Sequence, residues 1–345
     1  MSLKKIAELT GASISTVSRV LNNPTYHCQN RELTERIRQT ARELNYVPND
    51  SARQLKMGKS NPATDTGCYI IDILLARFDS LESDSFFQEM FRYIEAEFHK
   101  QGCVAGKIRN VPELSHLAVS KSHSYAHGAH GLLILGKCPA ELVDVLHRFY
   151  PALLAIDRNP TDHRMDEVVC RGTQAASLAV EYLLTLGHTK IAYIGDCNQE
   201  ARYIGYYECL LNHKIPLLYD YVFSTQQTRE EGAQIFHRIA GLPTPPTAVF
   251  CANDTTALGF LDAMKQYNHR KRKNIFSPAV VSIDDIEEAS RITPSLTTVH
   301  IPKEDMAHLA VLTMRDRLQG GHHLYSRIEL PCHLVVRESS GMSVL

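Results

Sequence analysis

The stretch "LTGASISTVSRVLNN", Leu9 to Asn23, holds one arginine among small, hydroxyl-bearing and β-branched residues. Ile14, Ser15, Thr16, Ser18 and Arg19 are short enough, apart from the arginine, to let a helix lie close to a polar surface. An arginine fork pairs bidentately with guanine O6 and N7, and Ser and Thr hydroxyls suit phosphate oxygens. A second group of polar residues follows apolar runs far along the chain. Asp157 and Arg158 follow "ALLAI", Arg202 opens a helical stretch after "KIAYIG", Asn253 and Asp254 follow "TAVFC", and Asp284 and Asp285 follow "AVVSI". Carboxylates and guanidinium forks each offer two coplanar bonds, a geometry suited to neighbouring sugar hydroxyls.

The first group needs a scaffold that carries one helix into a groove. Ile6, Ala7 and Leu9 predict a short helix from about Leu3 to Thr10. Gly11 stands where that helix must stop, because glycine tolerates the left-handed backbone. Ser13 can N-cap a second helix, whose Val17, Val20 and Leu21 recur at i, i+3 and i+4. A third helix, about Arg31 to Leu44, supplies Leu33, Ile37, Ala41 and Leu44 to close a three-helix core. Two short helices joined through a glycine turn form a helix-turn-helix unit, whose second helix enters the major groove.

Charge points the same way. Net charge over the 345 residues is −1, yet residues 1–60 hold ten Lys/Arg against five Asp/Glu. That head is +5 and the remainder −6, so the head is the part built to meet a polyanion. The length exceeds one core and predicts two or three domains. The basic start "MSLKKIAELTG" lacks the unbroken apolar stretch of a signal peptide, and no run reaches the roughly 20 apolar residues of a membrane span. The expected location is therefore cytoplasmic. Nine scattered cysteines without a CxxC pair read as thiols in a reducing compartment.

From Gly67 onward, apolar runs ("GCYIIDILL", "HGLLIL", "ALLAI", "EVVC", "KIAYIG", "TAVFCAND", "AVVSIDD", "SLTTV") alternate with stretches of helical period. The helical stretches include Ser85 to Gln101, Pro139 to Phe149 and Pro302 to about Leu318. The pattern predicts parallel α/β sheets, too many units for one doubly wound sheet. Two subdomains with a ligand cleft between them, at the strand C-termini, fit the count.

"LNYVPNDSARQLKMGKS" (Leu44 to Ser60) resembles the hinge of the lactose/galactose repressor family, and Leu3 to Asn23 resembles that family's head. "YLLTLGHTKIAYIG", "CANDTTALGFLDAM" and "PSLTTVHIP" extend the resemblance over essentially the whole chain. The resemblance implies an all-α helix-turn-helix head on a periplasmic-binding-protein-like α/β body, acting as a homodimer on operator DNA. It implies a hinge that folds on DNA, with Leu55 wedged between base steps of the minor groove; the segment is too short to hold a helix alone. It further implies chain crossovers near Arg158–Asp162, Ser290–Pro294 and Gly320–Tyr325. The domains then read as 1–48 for the head, 49–66 for hinge helix and linker, 67–158 with 294–320, and 163–290 with 325–340. Matching motifs place Asp157, Arg202, Asn253 and Asp284 at effector-contacting positions and Phe86 and Phe87 in the roof of the cleft. The chain departs from the family at Asp84-Ser85, where Asn-Pro is usual, and at Glu200, where a second arginine is usual.

The remaining features read blandly. His123, His127 and His130 have helical spacing but no carboxylate or cysteine ligand nearby, and "HRKRKN" (His269 to Asn274) reads as a solvated loop. Nothing resembles a catalytic triad, a P-loop or a GxGxxG loop, so no enzyme and no cofactor is expected. The sequence thus predicts a ligand-responsive transcription regulator, a repressor with a sugar effector. Control by a purine-like corepressor or a phosphocarrier protein is the alternative within the class. A sugar-binding transport component is the alternative outside it.

Overall fold

The computed structural model describes residues 3–22, 31–43, 68–77, 79–114, 128–156, 164–198, 200–270 and 275–341. The chain divides into two compact units, Met1–Asp65 and Thr66–Leu345.

In the first unit, helices α1 (Leu3–Thr10), α2 (Ile14–Asn22) and α3 (Arg31–Glu43) pack around Ile6, Ala7, Val17, Val20, Ile37 and Ala41. Gly11 turns the chain at φ 67°, the left-handed conformation that lets α1 stop and α2 start at once. The Ser13 hydroxyl accepts from the Thr16 amide at 3.1 Å and so satisfies a free donor at the α2 N-terminus. Leu9 lies outside this core and is 56% exposed. Thr10 takes the inward position four residues after Ile6, and its hydroxyl donates to the Ile6 carbonyl at 2.7 Å. Helical period sets the difference, since Ile6 and Thr10 share a face that Leu9 leaves by about 100°. Arg36 of α3 ties the same turn by donating to the Thr10 carbonyl at 3.0 Å.

The second unit contains two six-stranded sheets. The first has the order β11-β5-β4-β3-β1-β2, from strands Arg327–Leu330, Asp166–Cys170, Leu153–Ile156, Gly131–Leu135, Tyr69–Leu75 and Cys103–Asn110, all parallel. The second has the order β12-β10-β9-β8-β6-β7, from His333–Val335, Thr297–His300, Ala279–Asp284, Ala248–Cys251, Ile191–Gly195 and Val222–Ser224. Only β12 runs antiparallel to its neighbour there. Strands β3, β4, β6, β8 and β9 are buried throughout, which is why they read as unbroken apolar runs. The helix Ser85–Gln101 starts and stops where the sequence offers caps. Asp84 accepts from the Phe86 and Phe87 amides to begin Ser85–Gln101, and Gly102, at φ 67°, ends it.

The chain passes between the sheets three times, but not where the sequence placed the passages. The first expected crossover, Arg158–Asp162, lies outside the described residues. Beyond it, β5 still belongs to the first sheet, paired with β4, and the change of sheet comes after Cys170. Strand β10 belongs to the second sheet although residues 294–320 were assigned to the first, so the second passage lies between His300 and Lys303. Strand β11 returns to the first sheet, and the third passage is the Pro331–Cys332 link to β12. Each passage therefore comes one strand later than expected. A strand's own residues encode its burial, not which sheet edge it joins.

Candidate functional site

On α2, Val17 and Val20 are buried while Ser15 and Arg19 are exposed and Thr16 is half-buried. Ser15 and Arg19 are one turn apart, so their side chains lie along one outward face. The hydroxyls of Ser15 and Thr16 each lie 2.8 Å from that of Ser13, a polar cluster at the helix N-terminus. Ile14 and Ser18 lie within α2, though their side chains are outside the described set. Leu55 and the hinge are outside the described residues, as is Asp157.

In the second unit, a cavity of about 290 Å³ opens among residues that follow strand C-termini. Arg77, Phe87, Gly136 and Lys137 line it from the first sheet's side, and Asp196, Glu200, Thr225 and Gln226 from the second sheet's side. Two hydrogen bonds already span it: Arg77 donates to the Gln226 carbonyl at 3.2 Å, and Lys137 to the Asn198 carbonyl at 3.4 Å. Gly136 stands in this wall at φ 90°, a left-handed conformation that favours glycine.

Of the predicted ligand residues that are described, Arg202, Asn253 and Asp284 converge beside this cavity, and only Phe87 lines it. Arg202 is buried, and each of its three guanidinium nitrogens has a hydrogen-bond partner. Its Nε donates to Glu200 at 3.2 Å, Nη1 donates to the Ala252 carbonyl, Nη2 donates to the Gln227 side chain at 3.4 Å, and Asp284 lies 3.8 Å from Nη1. Glu200, the residue that departs from the family pattern, thus lines the cavity and holds the arginine behind it. Asn253 is buried as well. Its Nδ2 donates to the Gln227 carbonyl at 3.3 Å, and its Oδ1 caps the following helix through the Thr256 amide at 3.1 Å. Gln227 itself, 4% exposed and at φ 65°, carries a buried side-chain donor, Nε2, that meets no acceptor among the described residues.

Asp284 sits at φ 126°, a conformation costly for a non-glycine residue. Lys303 holds this turn by donating to the carbonyls of Asp284 and Asp285, both at 2.8 Å. The same ammonium lies 3.4 Å from Glu89 and 5.5 Å from the centre of the Phe86 ring. Glu89 in turn accepts from the Glu287 amide at 2.7 Å, and Arg92 pairs with the Glu287 carboxylate at 2.7 Å. Phe86 is therefore packed under this strap rather than exposed to the cavity.

Asp254 and Asp285 have structural partners. Asp254 is fully buried and accepts from Ser282, Thr298 and the Ile286 amide. Burial raises its carboxyl to about 6 against the pull of those donors. Asp285 pairs with His300 and Arg337, and although burial opposes it, these partners hold the carboxyl down to about 2. His130 accepts from the Ile70 amide at 3.0 Å, and no group of three metal-type ligands occurs among the described residues.

Sequence reasoning missed Arg77, Lys137, Asp196, Thr225 and Gln226. All five directly follow, or lie within two residues of, the runs "ILLA", "LILG", "IAYIG" and "VFS", a signal that sequence reasoning applied to other residues only.

Residues 2–49 match the model for bacterial regulatory proteins of the lacI family, and residues 180–340 match a periplasmic binding protein-like domain. The chain belongs to the lacI family of bacterial regulatory proteins. Over 98% of both chains it is 29% identical to a probable HTH-type transcriptional repressor, ExuR, of Bacillus subtilis. It is 26% identical over 98% of both chains to the PurR repressor of Vibrio parahaemolyticus. Its fold matches the lac repressor dimer bound to operator and the anti-inducer ONPF, with a TM-score of 0.72, 22% identity and 99% of each chain covered. It also matches a CelR–cellobiose complex, with a TM-score of 0.67, 22% identity and coverage of 98% and 99%. At these identities the solved structures establish the fold alone. As a lacI-family member the protein is a transcriptional repressor and not an enzyme. Among the described residues no helix is long and apolar enough to cross a membrane.

Proposed function

We propose that this lacI-family repressor grips a near-palindromic operator as a homodimer and releases or tightens that grip when a small sugar fills the cavity between its two sheets. The observation that carries the reading is the cavity itself. Strand ends of both sheets line it, with cations from one side and carboxylates and amides from the other. A ligand touching both sides biases their relative position, which is what couples a binding site to a distant one. Its volume, about 290 Å³, suits a monosaccharide, and Glu200, Asp196 and Gln226 supply the acceptors that hydroxyls need. Structural neighbours solved with cellobiose and with ribose make the sugar class the first to test.

In the head, Ser15, Thr16 and Arg19, with Ile14 and Ser18 on the same helix, would read the major groove, and Leu55 would enter the minor groove. One short helix reads few bases, so a dimer on a two-fold site supplies the specificity. Effector control then acts through the hinge, residues 49–66, whose spacing in a dimer follows the body. The test is a panel of neutral and acidic mono- and disaccharides titrated by calorimetry, since the chain has no tryptophan. A hit must also change affinity for a selected operator. A purine that binds and tightens DNA binding, with no sugar active, would replace the sugar reading by the corepressor one. Failure to select any operator would overturn the whole assignment.

A further inference from the structure

Cys170 and Cys332 meet where the chain changes sheets. Cys170 is the last residue of β5, immediately before the first passage, and Cys332 lies in the third passage, between β11 and β12. The two strands are neighbours, with Leu330 opposite Cys170 in the parallel register, and the Arg171–Glu329 ion pair at 2.7 Å fastens them on the surface. The Cys170 thiol hydrogen-bonds the Cys332 sulfur. Cys170 is buried, Cys332 is half-buried, and both are free thiols. We propose that this pair is a peroxide-sensitive dithiol that ties two of the three inter-sheet passages together when oxidised.

The chemistry favours Cys332 as the attacking sulfur. The hydrogen bond from Cys170 lowers its thiol below the usual range, with burial opposing. Burial raises the thiols of Cys103, Cys138, Cys197, Cys209 and Cys251, which keeps them protonated and inert. The Cys332 thiolate attacks one oxygen of a hydroperoxide. An S–O bond forms, the O–O bond breaks, and the departing oxygen takes a proton from solvent to leave as an alcohol, or as water when the oxidant is hydrogen peroxide. Sulfur is oxidised to sulfenic acid and the peroxide is reduced. The Cys170 sulfur then attacks that sulfenic acid. The S–S bond forms, the S–O bond breaks, and the departing hydroxide takes the Cys170 proton to give water. A thiol reductant reverses the change.

The consequence follows from position. Opening or closing the cleft requires the passages to twist against one another, and a covalent link between the first and third prevents it. The oxidised protein is held in the arrangement seen here.

The test treats the full-length protein with hydrogen peroxide and compares it with dithiothreitol-reduced protein, and with Cys332→Ser and Cys170→Ala. The expected product is one peptide pair joined through Cys170 and Cys332, absent from both variants and reversed by reductant. Linking residues so far apart in sequence should also raise the thermal midpoint of the parent by roughly 5–10 °C, and of neither variant. Oxidised and reduced protein should differ in operator affinity by about fivefold or more, the lower end of ordinary allosteric coupling, and the variants should not. Oxidation confined to exposed Cys68 or to Cys28, or a Cys332 that proceeds to sulfinic acid while Cys170 stays reduced, overturns the proposal. A disulfide that forms but leaves operator affinity within about twofold overturns its regulatory half. This last arm alone rests on the proposed function. Loss of operator binding in both redox states would sink that function and leave the disulfide result standing.

Discussion

Replacing Arg202 by alanine tests how the cavity floor is held. From sequence, Arg202 is a ligand contact whose loss weakens effector binding and leaves the apo protein intact. The structure demands more. The guanidinium is 1% exposed and ties Glu200, the Ala252 carbonyl, Gln227 and Asp284 together. Removing it takes the Arg202 cation away from the buried carboxylates of Glu200 and Asp284. Breaking a buried pair by deleting one partner costs about 3–5 kcal/mol, far more than the pair's net worth, because the remaining charge stays desolvated. Arg202→Ala should therefore lower body stability by that amount in urea unfolding followed by far-ultraviolet circular dichroism. Deleting the charge on both sides separates the causes. Arg202→Met with Glu200→Gln should recover a large part of the loss, since an uncharged replacement removes the stranded carboxylate. A loss below about 1 kcal/mol for Arg202→Ala would refute the reasoning and show an arginine free to serve a ligand.

Other consequences are as direct. Alanine is the better helix former, yet Gly259→Ala should destabilise the body, because its Cβ would lie 1.9 Å from the Arg229 carbonyl where two helices cross; a raised thermal midpoint would contradict this. The folded carboxyl of Asp254, near 6, lies above its ordinary 3.8, so its favourable contribution is full below about pH 4 and lost as pH rises through 6. That displacement is worth on the order of 3 kcal/mol, and Asp254→Asn should flatten the stability profile between pH 4 and 6; an unchanged slope refutes it. Arg19→Ala should weaken operator binding by about 1–3 kcal/mol and relax preference at one base pair, seen in a gel-shift series of operator variants. Leu55→Ala should weaken operator binding while leaving the thermal midpoint within about 1 °C, as a wedge rather than a core residue would; a large drop in the midpoint would place it in a core.

The sequence by itself determined the local elements and the class. Gly11, Ser13 and the Val17/Val20 spacing specify the turn, the cap and the buried face of α2, because caps and helical period act within a few residues. Unbroken apolar runs announced the central strands, since strands buried on both faces have no polar side to show. The same logic missed β2, β7, β11 and β12, the four strands at the sheet edges. Strand β2, with its buried and exposed residues mixed along "CVAGKIRN", lies at a sheet edge, and three-residue β7 at another. Missing β7 hid Thr225 and Gln226, the cavity residues that follow it.

Tertiary structure alone decided how the polar residues at strand ends are used. Position brought Arg202, Asn253 and Asp284 together, as their places after β6, β8 and β9 required. Partners decided the rest: Glu200 lies two residues from Arg202, while Ala252, Gln227 and Asp284 arrive from three other strand ends. It likewise decided that each passage between sheets comes one strand later than expected, and so that Cys170 and Cys332 both lie where the chain changes sheets. Sheet edges recruit strands through backbone hydrogen bonds, which every residue except proline can make alike. The side-chain pattern of a strand therefore reports its burial and leaves its neighbour to the fold.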